Sequence, residues 1–321
     1  MKTCLKKNWF FLGIGIMLFI AFWEPVVGIF IRQYKLLNIG IFIAFLVTGL
    51  TLETSSLLKQ LKNVKELLSA LISSLILFPV IAYFIGLYFF KDYPDFVMGA
   101  LIIGVAPVTV ASGTVMTTIA RGNVSLSLFI CVLANLFAIL TIPFMLNLIL
   151  QFGDTIIELP LLEMLTGLII KVFIPTVLGQ LIRPFLKKFL QPFKPYFSIF
   201  NQGIVLLIIL NAVSSSTDRI IQAGSTLLFV FTVMIGLHIM ILLINYGISR
   251  LIRLDLPSTA AFTIHTSQKT LTVSYLVWAG YFAESYPMAL IPPIAYHLTQ
   301  MIMDTIVAQR FRLLAEVKDR H

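Results

Sequence analysis

The chain has 321 residues, of which 59% are hydrophobic and only 12% are charged. Because a soluble domain carries about 25% charged residues, this composition excludes a soluble globular protein and indicates one solvated by lipid. The net charge of +9 comes from short basic clusters between apolar runs and not from a basic face with interleaved aromatic residues, which excludes nucleic acid as a partner. Two cysteines are too few for a disulfide framework or a metal site.

Ten apolar segments, each of about the 20 residues that a bilayer requires, follow one another along the chain. No loop between them is long enough to hold a soluble domain, and residues 53–63 are expected to form a polar connector on the membrane surface. Hydropathy places the spans at 9–31, 36–52, 64–90, 95–119, 123–150, 161–182, 197–216, 222–249, 257–281 and 286–309.

The basic residues predict the orientation of these spans. With the N-terminus in the cytoplasm, the cytoplasmic segments hold 17 lysines and arginines and the outer segments hold 4. Cytoplasmic loops of membrane proteins are enriched in basic residues. The sequence therefore predicts a multi-pass protein of the plasma membrane with both termini in the cytoplasm.

Ten spans divide into two groups of five, and an odd number per group makes the second group insert upside down. We therefore expect an all-α membrane protein built from two inverted five-helix repeats, at about 1–151 and 152–314. The transmembrane domain covers 1–314, and 315–321 is expected to be a charged cytoplasmic tail.

The fourth span contains a cluster of helix-weakening and polar residues. Pro107 cannot donate a backbone hydrogen bond, Gly113 weakens a helix, and Thr109, Ser112 and Thr114 surround them. A break here exposes helix ends that can hold ions or an anionic substrate. The alternative is a kinked helix whose hydroxyls bond back to its own backbone.

The ninth span, at the equivalent place in the second half, carries a longer polar run from Thr263 to Ser274. We expect a broken helix lining a cavity, with a loop as the alternative. His265 and Thr266 are candidate substrate ligands. Lys269 is the most specific candidate in this span, because a buried ammonium must pair, lose its proton or take the place of a cation.

The fifth and tenth spans carry weaker polar patterns. Ser127 and Cys131 lie at helical spacing, and His297, Gln300 and Asp304 share one face of the tenth span. That face is expected to complete the site or carry protons, with hydrogen bonding between helices as the alternative. A lone histidine, His238, is interpreted as a packing residue.

These residues resemble the bile acid/sodium symporter superfamily over nearly the whole chain. The resemblance rests on Thr48-Gly-Leu-Thr-Leu-Glu53 and on the fourth span with Ala120-Arg121-Gly122-Asn123. The opening Asn8-Trp9-Phe10, Glu24-Pro25 and the run 268–272 are similar to the member-seven branch. It implies a panel domain and a core domain, crossing discontinuous fourth and ninth helices, and alternating access. It also implies Na⁺ ligands, which fall on Ser112, Thr114, Ser127, Cys131 and Gln268 in this chain.

The sequence departs from the family pattern at several of these ligands. An asparagine is replaced by Gly113 or Thr114, a hydroxyl by Cys131, and the ninth-helix glutamate by Ile264 or His265. Thiols are poor ligands for a hard cation. Our hypothesis is that Lys269 supplies the positive charge that Na⁺ supplies elsewhere, so that transport is linked to H⁺ or is uncoupled.

Taken together, the sequence predicts a secondary transporter of a small or amphipathic organic anion, without a cofactor beyond a coupling Na⁺ or H⁺. The predicted substrate ligands are Thr109, Ser112, Gly113, Thr114, His265, Thr266, Lys269 and His297. The alternatives are a non-transporting membrane regulator with the same fold and, less favoured, an exporter of arsenite or another inorganic ion. No zinc or paired acidic motif indicates an enzyme.

Overall fold

The computed structural model describes residues 2–52, 64–109, 111–152 and 159–318, and no strand occurs among them. Each of the ten predicted spans falls on helix, whereas the predicted connector 53–63 lies outside the described residues. The helices are α1 (Lys2–Trp23), α2 (Pro25–Gln33), α3 (Leu36–Thr51), α4 (Val64–Phe89), α5 (Pro94–Val105), α6 (Ala111–Ile119), α7 (Val124–Phe152), α8 (Leu161–Leu168, continued by Ile169–Phe173 and Ile174–Leu190), α9 (Lys194–Ser214), α10 (Thr217–Ala223), α11 (Thr226–Leu251), α12 (Leu256–Ser267), α13 (Leu271–Val277, continued by Trp278–Phe282) and α14 (Ile291–Lys318).

The outside of the helices is apolar, as expected for a protein in lipid. Phe185 is 86% exposed, and Tyr88 and Leu251 are similarly uncovered. Within the described part of the chain, five helices are long and apolar enough to cross a bilayer unaided, and the bent pair α1–α2 makes a sixth. Helices α3 and α5 are apolar but shorter.

The first predicted span is not one straight helix. Helix α1 ends at Trp23, and α2 leaves it at an angle of 95°. Pro25 stands in the first turn of α2, where proline is tolerated because the N–H of that position needs no helical partner. The range 9–31 therefore describes a membrane helix followed by a sharply turned short helix.

The predicted tail also differs from the structure. Helix α14 continues to Lys318, because Glu316 accepts from Arg312 one turn earlier and pairs with Arg121 of the turn after α6, at 3.3 Å. Residues 319–321 lie outside the described part of the chain.

The helices pack in two groups. In the first group, α1, α2 and α3 pack on α9, and α3 packs along α8. Gly49 of α3 and Gly179 of α8 lie so close to the opposite backbone that a methyl group on either would overlap a carbonyl oxygen. In the second group, α11 packs on α12 and α14, and α4 on α5; α7 and α14 pack against the two broken helices. The breaks face the first group.

Candidate functional site

The fourth and ninth predicted spans are both broken, and the two breaks touch. Helix α5 ends at Val105, and the chain turns extended at Ala106 before α6 begins. Helix α12 ends at Ser267, and Gln268 and Thr270 are extended before α13 begins. The Thr270 N–H donates to the carbonyl of Pro107 at 2.9 Å. The prediction of two facing helix breaks is confirmed.

Lys269 lies fully buried where the two breaks cross. Its Nζ donates to the carbonyl oxygens of Ser74 at 2.6 Å and of Gly104 and Ala106 at 2.8 Å. These three acceptors use all three ammonium protons, and the Phe78 ring lies beneath at 4.3 Å from Nζ to its centroid. The charge is thus held by peptide dipoles, including the negative C-terminal end of α5.

The π-helical turn Ser73–Leu77 in α4 supplies one of these carbonyls. Such turns shift the backbone hydrogen-bond pattern and often occur at functional sites. Ser73 itself donates to Asn245 of α11 at 2.5 Å, and Asn245 donates to Ser267 at the end of α12. The end of α12 is therefore tied to α4 and α11 as well as to the crossing.

Gln268 joins the two breaks through its side chain. Its Oε1 accepts from the Thr109 hydroxyl at 2.7 Å and from the Ser112 hydroxyl at 2.8 Å. Its Nε2 donates to Asp304 Oδ2 at 2.6 Å. The amide is therefore oriented by a carboxylate on one side, and presents its carbonyl to the hydroxyls of the fourth span on the other.

Asp304 is fully buried and contacts a second partner, His238, at 2.9 Å. The other ring nitrogen of His238 lies 2.8 Å from the Tyr296 hydroxyl, which itself donates to the Ser267 carbonyl. The hydroxyl therefore accepts from His238 Nδ1–H, and one proton lies between Nε2 and the carboxylate. These contacts agree with the interpretation of His238 as a packing residue whose ring nitrogens have partners within the protein.

His265 fills the space between α6 and α7. Its Nε2–H donates to the Thr109 carbonyl at 2.7 Å, so its Nδ1 is free to accept from the Ser127 hydroxyl. Thr117 in turn donates to Ser127 at 3.0 Å. Gly113 faces the ring so closely that an added Cβ would lie 2.6 Å from it. The ring fits only because residue 113 has no side chain.

A cavity opens beside the crossing. One wall consists of the breaks and α14, and the other consists of α1, α3 and α9. Its volume is about 90 Å³, which is room for about three waters at ~30 Å³ each. This volume is well below the ~300–1,000 Å³ of ordinary ligand sites. The lining residues are Phe10, Ala44, Phe45, Thr48, Thr109, Ser112, Asn201, Gln202, Val205, Thr270, Leu271, Thr272, His297 and Met301.

A second cavity adjoins the first and shares Phe45 and Thr48 with it. Its volume is about 300 Å³, and its walls on α3, α7 and α8 are mostly apolar, with Cys131 and Asn135 among the few polar side chains. Cys131 Sγ lies 3.6 Å from the Thr109 carbonyl, so the two cavities meet at the fourth-span break.

Of the predicted substrate ligands, Thr109, Ser112 and His297 line the first cavity. The cavity is not lined by the other five, which are Lys269, His265, Gly113, Thr114 and Thr266. Behind the cavity wall lie Lys269, His265 and Gly113, in the contacts described above. The Thr266 hydroxyl is buried without a hydrogen-bond partner among the described residues. Thr114 accepts from the Thr118 hydroxyl through its carbonyl oxygen.

The predicted ion ligands form two groups in space. Ser112 and Gln268 touch each other, and Ser127 touches the His265 ring. Cys131 lies in the second cavity. Their role as ligands stays a prediction, as does that of the substrate residues.

Several cavity residues were missed from sequence. Asn201 and Gln202 form a polar pair inside the apolar seventh span. Polar residues within an apolar span were the signal that identified the ninth span as a candidate site. Thr270 and Thr272 were inside the polar run but were not singled out. Thr48 gave no local signal, since an isolated threonine in a membrane helix commonly bonds to its own backbone.

A helical protein with an apolar exterior, whose two broken helices cross beside a polar cavity, has the architecture of a membrane transporter. The chain belongs to the SBF-like CPA transporter family, whose model matches residues 8–313. The prediction of a transporter related to the bile acid/sodium symporters, and not an enzyme, is confirmed.

Relatives match nearly the whole of this chain. The chain is 29% identical to "Probable sodium/metabolite cotransporter BASS4, chloroplastic" of Arabidopsis thaliana, over 92% of this chain and 69% of that protein. It is 24% identical to "Sodium/bile acid cotransporter 7-A" of Xenopus laevis, over 94% and 91%. The rat "Sodium/bile acid cotransporter 7" is also 24% identical, over 94% and 92%.

Proposed function

We propose that the protein transports a small or amphipathic organic anion through the cavity beside the crossing. The observation that carries this proposal is that two helix N-termini face one cavity: Ser112 in the first turn of α6, and Leu271 and Thr272 in the first turn of α13, line it together. Helix N-termini carry partial positive charge and unpaired N–H groups, which favour an anion. No carboxylate lines the cavity among the described residues.

The polar and apolar parts of the substrate are assigned to the two adjoining cavities. Hydroxyls, amides and His297 surround the first, and aliphatic and aromatic side chains surround most of the second. Since Phe45 and Thr48 belong to both, one ligand with a carboxylate or sulfonate head and an apolar body would occupy the two together. This amphipathic shape distinguishes the proposed substrate from an inorganic ion.

Alternating access follows from the size of the first cavity. At about 90 Å³ it is too small for an organic anion, so one wall must move for a substrate to enter. The two packing groups supply separate walls. We assign α1, α2, α3, α8 and α9 to a panel, and the remaining long helices, with both breaks, to a core that moves against it.

We further propose that transport does not require Na⁺. The Lys269 ammonium already fills a cage of three carbonyl oxygens at the crossing. The His265 ring already fills the space between the Thr109 carbonyl and Ser127, one of the ion ligands implied by the family resemblance. Oxygen atoms that would otherwise attract a hard cation are thus occupied by side chains of the protein. The driving force is then an H⁺ gradient or the gradient of the anion itself.

Transport assays in proteoliposomes test both proposals. Counterflow of taurocholate and of smaller carboxylates and sulfonates would be measured with and without Na⁺ and with an imposed pH gradient. We expect saturable, Na⁺-independent uptake of at least one anion. Stimulation by an inward proton gradient identifies H⁺ coupling, and its absence identifies uncoupled flux.

A cavity-blocking variant provides the control for a specific pathway. Val205→Trp places an indole in the cavity and is expected to abolish uptake, whereas Leu243→Trp, at a position that is 66% exposed on α11, leaves it intact. No uptake of any anion, or equal uptake by both variants, contradicts the transport proposal. Strict Na⁺ dependence that persists in Lys269→Ala contradicts the sodium proposal alone.

We also propose ten membrane spans in two inverted repeats, with both termini in the cytoplasm of the plasma membrane. The distribution of 17 basic residues against 4 supports this orientation. A cysteine placed at Lys91, between α4 and α5, is expected to react with an impermeant maleimide in intact cells. A cysteine at Arg253, between α11 and α12, is expected to react only after permeabilisation, and the opposite pattern contradicts the topology.

A further inference from the structure

A second polar pocket lies away from the crossing, at the other end of α3 and α13. It is lined by three basic side chains, Arg32, Lys35 and Lys171, together with Asn38 and Tyr275. These five residues, which we call the basic pocket, come from the end of α2, the start of α3, the π-helical turn of α8 and the last turn of α13. Its volume is about 280 Å³, room for about nine waters at ~30 Å³ each.

The polar groups of the basic pocket are uncommitted. The ion pairs of the described residues involve other side chains, and none of the five donates or accepts a side-chain hydrogen bond with a described residue. Tyr275 is only 3% exposed and lines the pocket wall, so its hydroxyl is a further donor or acceptor available to a bound ligand.

Local structure holds the three cations together. Arg32 lies over the Trp278 ring, with 5.4 Å from its Cζ to the ring centroid, a cation–π contact that positions the guanidinium without neutralising it. Lys35 adopts a left-handed φ of 52° between α2 and α3, a conformation that is unfavourable for a non-glycine residue. That turn lets both helices contribute to one pocket.

Three like charges around one cavity repel one another, and an anion between them removes the repulsion. A guanidinium, two ammonium groups, an amide N–H and a phenol provide donors on several sides, which matches the several oxygens of a phosphate group. We propose that the basic pocket binds a phosphate group, carried by a lipid headgroup or by a soluble anion. This inference does not depend on the proposed transport function.

Ligand-dependent thermal stability, followed by tryptophan fluorescence, tests the site. The soluble-anion arm compares sodium phosphate with sodium chloride at equal ionic strength in neutral detergent. The lipid arm compares nanodiscs of phosphatidylcholine with nanodiscs that also contain phosphatidylglycerol. In at least one arm we expect the phosphate-bearing condition to raise the Tm by about 2–3 °C, as a site-specific ligand in excess over its Kd would.

The double variant Arg32→Gln/Lys171→Gln is expected to lose this shift. Lys91→Gln/Arg219→Gln changes the net charge equally at exposed positions outside the pocket and is expected to keep it. If the double variant does not fold, Lys35→Gln, at an exposed position, is expected to reduce the shift by at least half.

A shift with phosphate alone identifies a soluble anion, a shift with phosphatidylglycerol alone identifies a headgroup, and a shift with both supports a site open to either. Absence of any shift in the wild-type protein, or a shift of equal size in the pocket and control variants, overturns the proposal. Failure of anion uptake in proteoliposomes would leave this result unchanged.

Discussion

Gly113→Ala tests the close fit between α6 and the His265 ring. The added Cβ would lie 2.6 Å from Cδ2 and Nε2 of the ring, whereas ordinary contact begins at 3.4 Å. The ring must therefore recede by about 0.8 Å. Its Nε2 now lies 2.7 Å from the Thr109 carbonyl, and the same displacement away from that oxygen stretches the distance to about 3.5 Å, beyond a normal hydrogen bond.

The size of the destabilisation follows from that lost hydrogen bond and from the close contact. A buried donor or acceptor without a partner costs about 1–3 kcal/mol. Overpacking adds about 1 kcal/mol, the low end of its range, because the ring can recede, and replacing a helical glycine by alanine returns about 1 kcal/mol. We expect a net destabilisation of about 2 kcal/mol, equivalent to a fall in Tm of about 4–8 °C.

Thermal unfolding of the purified protein, followed by tryptophan fluorescence, measures this change. Gly236→Ala on α11 is the matched control, since no atom lies within 4 Å of the position of its added Cβ, and it is expected to leave the Tm unchanged or raise it. In a His265→Ala background, Gly113→Ala is expected to be nearly neutral, which gives a coupling free energy of about 2 kcal/mol. The reasoning fails if Gly113→Ala matches Gly236→Ala while His265 is present.

Three further predictions concern the crossing. Lys269→Met leaves three buried carbonyl oxygens without their donor and is expected to lower the Tm by several degrees, whereas Lys91→Met, at an exposed position, changes it little; equal Tm values would refute the structural role of the ammonium. Asp304→Leu removes both carboxylate oxygens, leaves the Gln268 amide and one ring nitrogen of His238 without a partner, and is expected to cost about 1–3 kcal/mol, with unchanged thermal stability as the contradicting outcome. Gln268→Leu is expected to abolish anion uptake while the protein still folds, because it frees the hydroxyls at the fourth-span break; normal uptake would show that the Gln268 amide does not organise the site.

The positions of the helices and of both breaks could be predicted because their signals are local. Pro107 removes a backbone donor and the run from Thr263 to Ser274 interrupts an apolar segment, so each break is visible within one turn of sequence. The bend after α1 had a signal of the same kind at Glu24-Pro25, which lies inside the predicted span 9–31.

The contacts within the site could not be predicted, because their partners lie far apart along the chain. Thr109 and Gln268 are separated by 159 positions, and Lys269 and Ser74 by 195. Composition shows that a buried lysine needs acceptors, but not that they are carbonyls of a π-helical turn and of a helix end. For the same reason the partner of His238 could not be named from the sequence, since Asp304 stands on another helix.

Lys269 and His265, which fill the proposed cation positions, affect the return step of the proposed transport cycle. Where a mobile cation joins two helix breaks, the empty carrier lacks that charge, and its return step then differs electrostatically from the step of the loaded carrier. Here Lys269 and His265 are part of the chain, so the crossing stays assembled whether or not an anion is present. Reorientation of the empty carrier is then as accessible as that of the loaded carrier. Net uptake should therefore proceed at a rate comparable to exchange, and a large excess of exchange over net uptake would show that a missing ion still controls the return step.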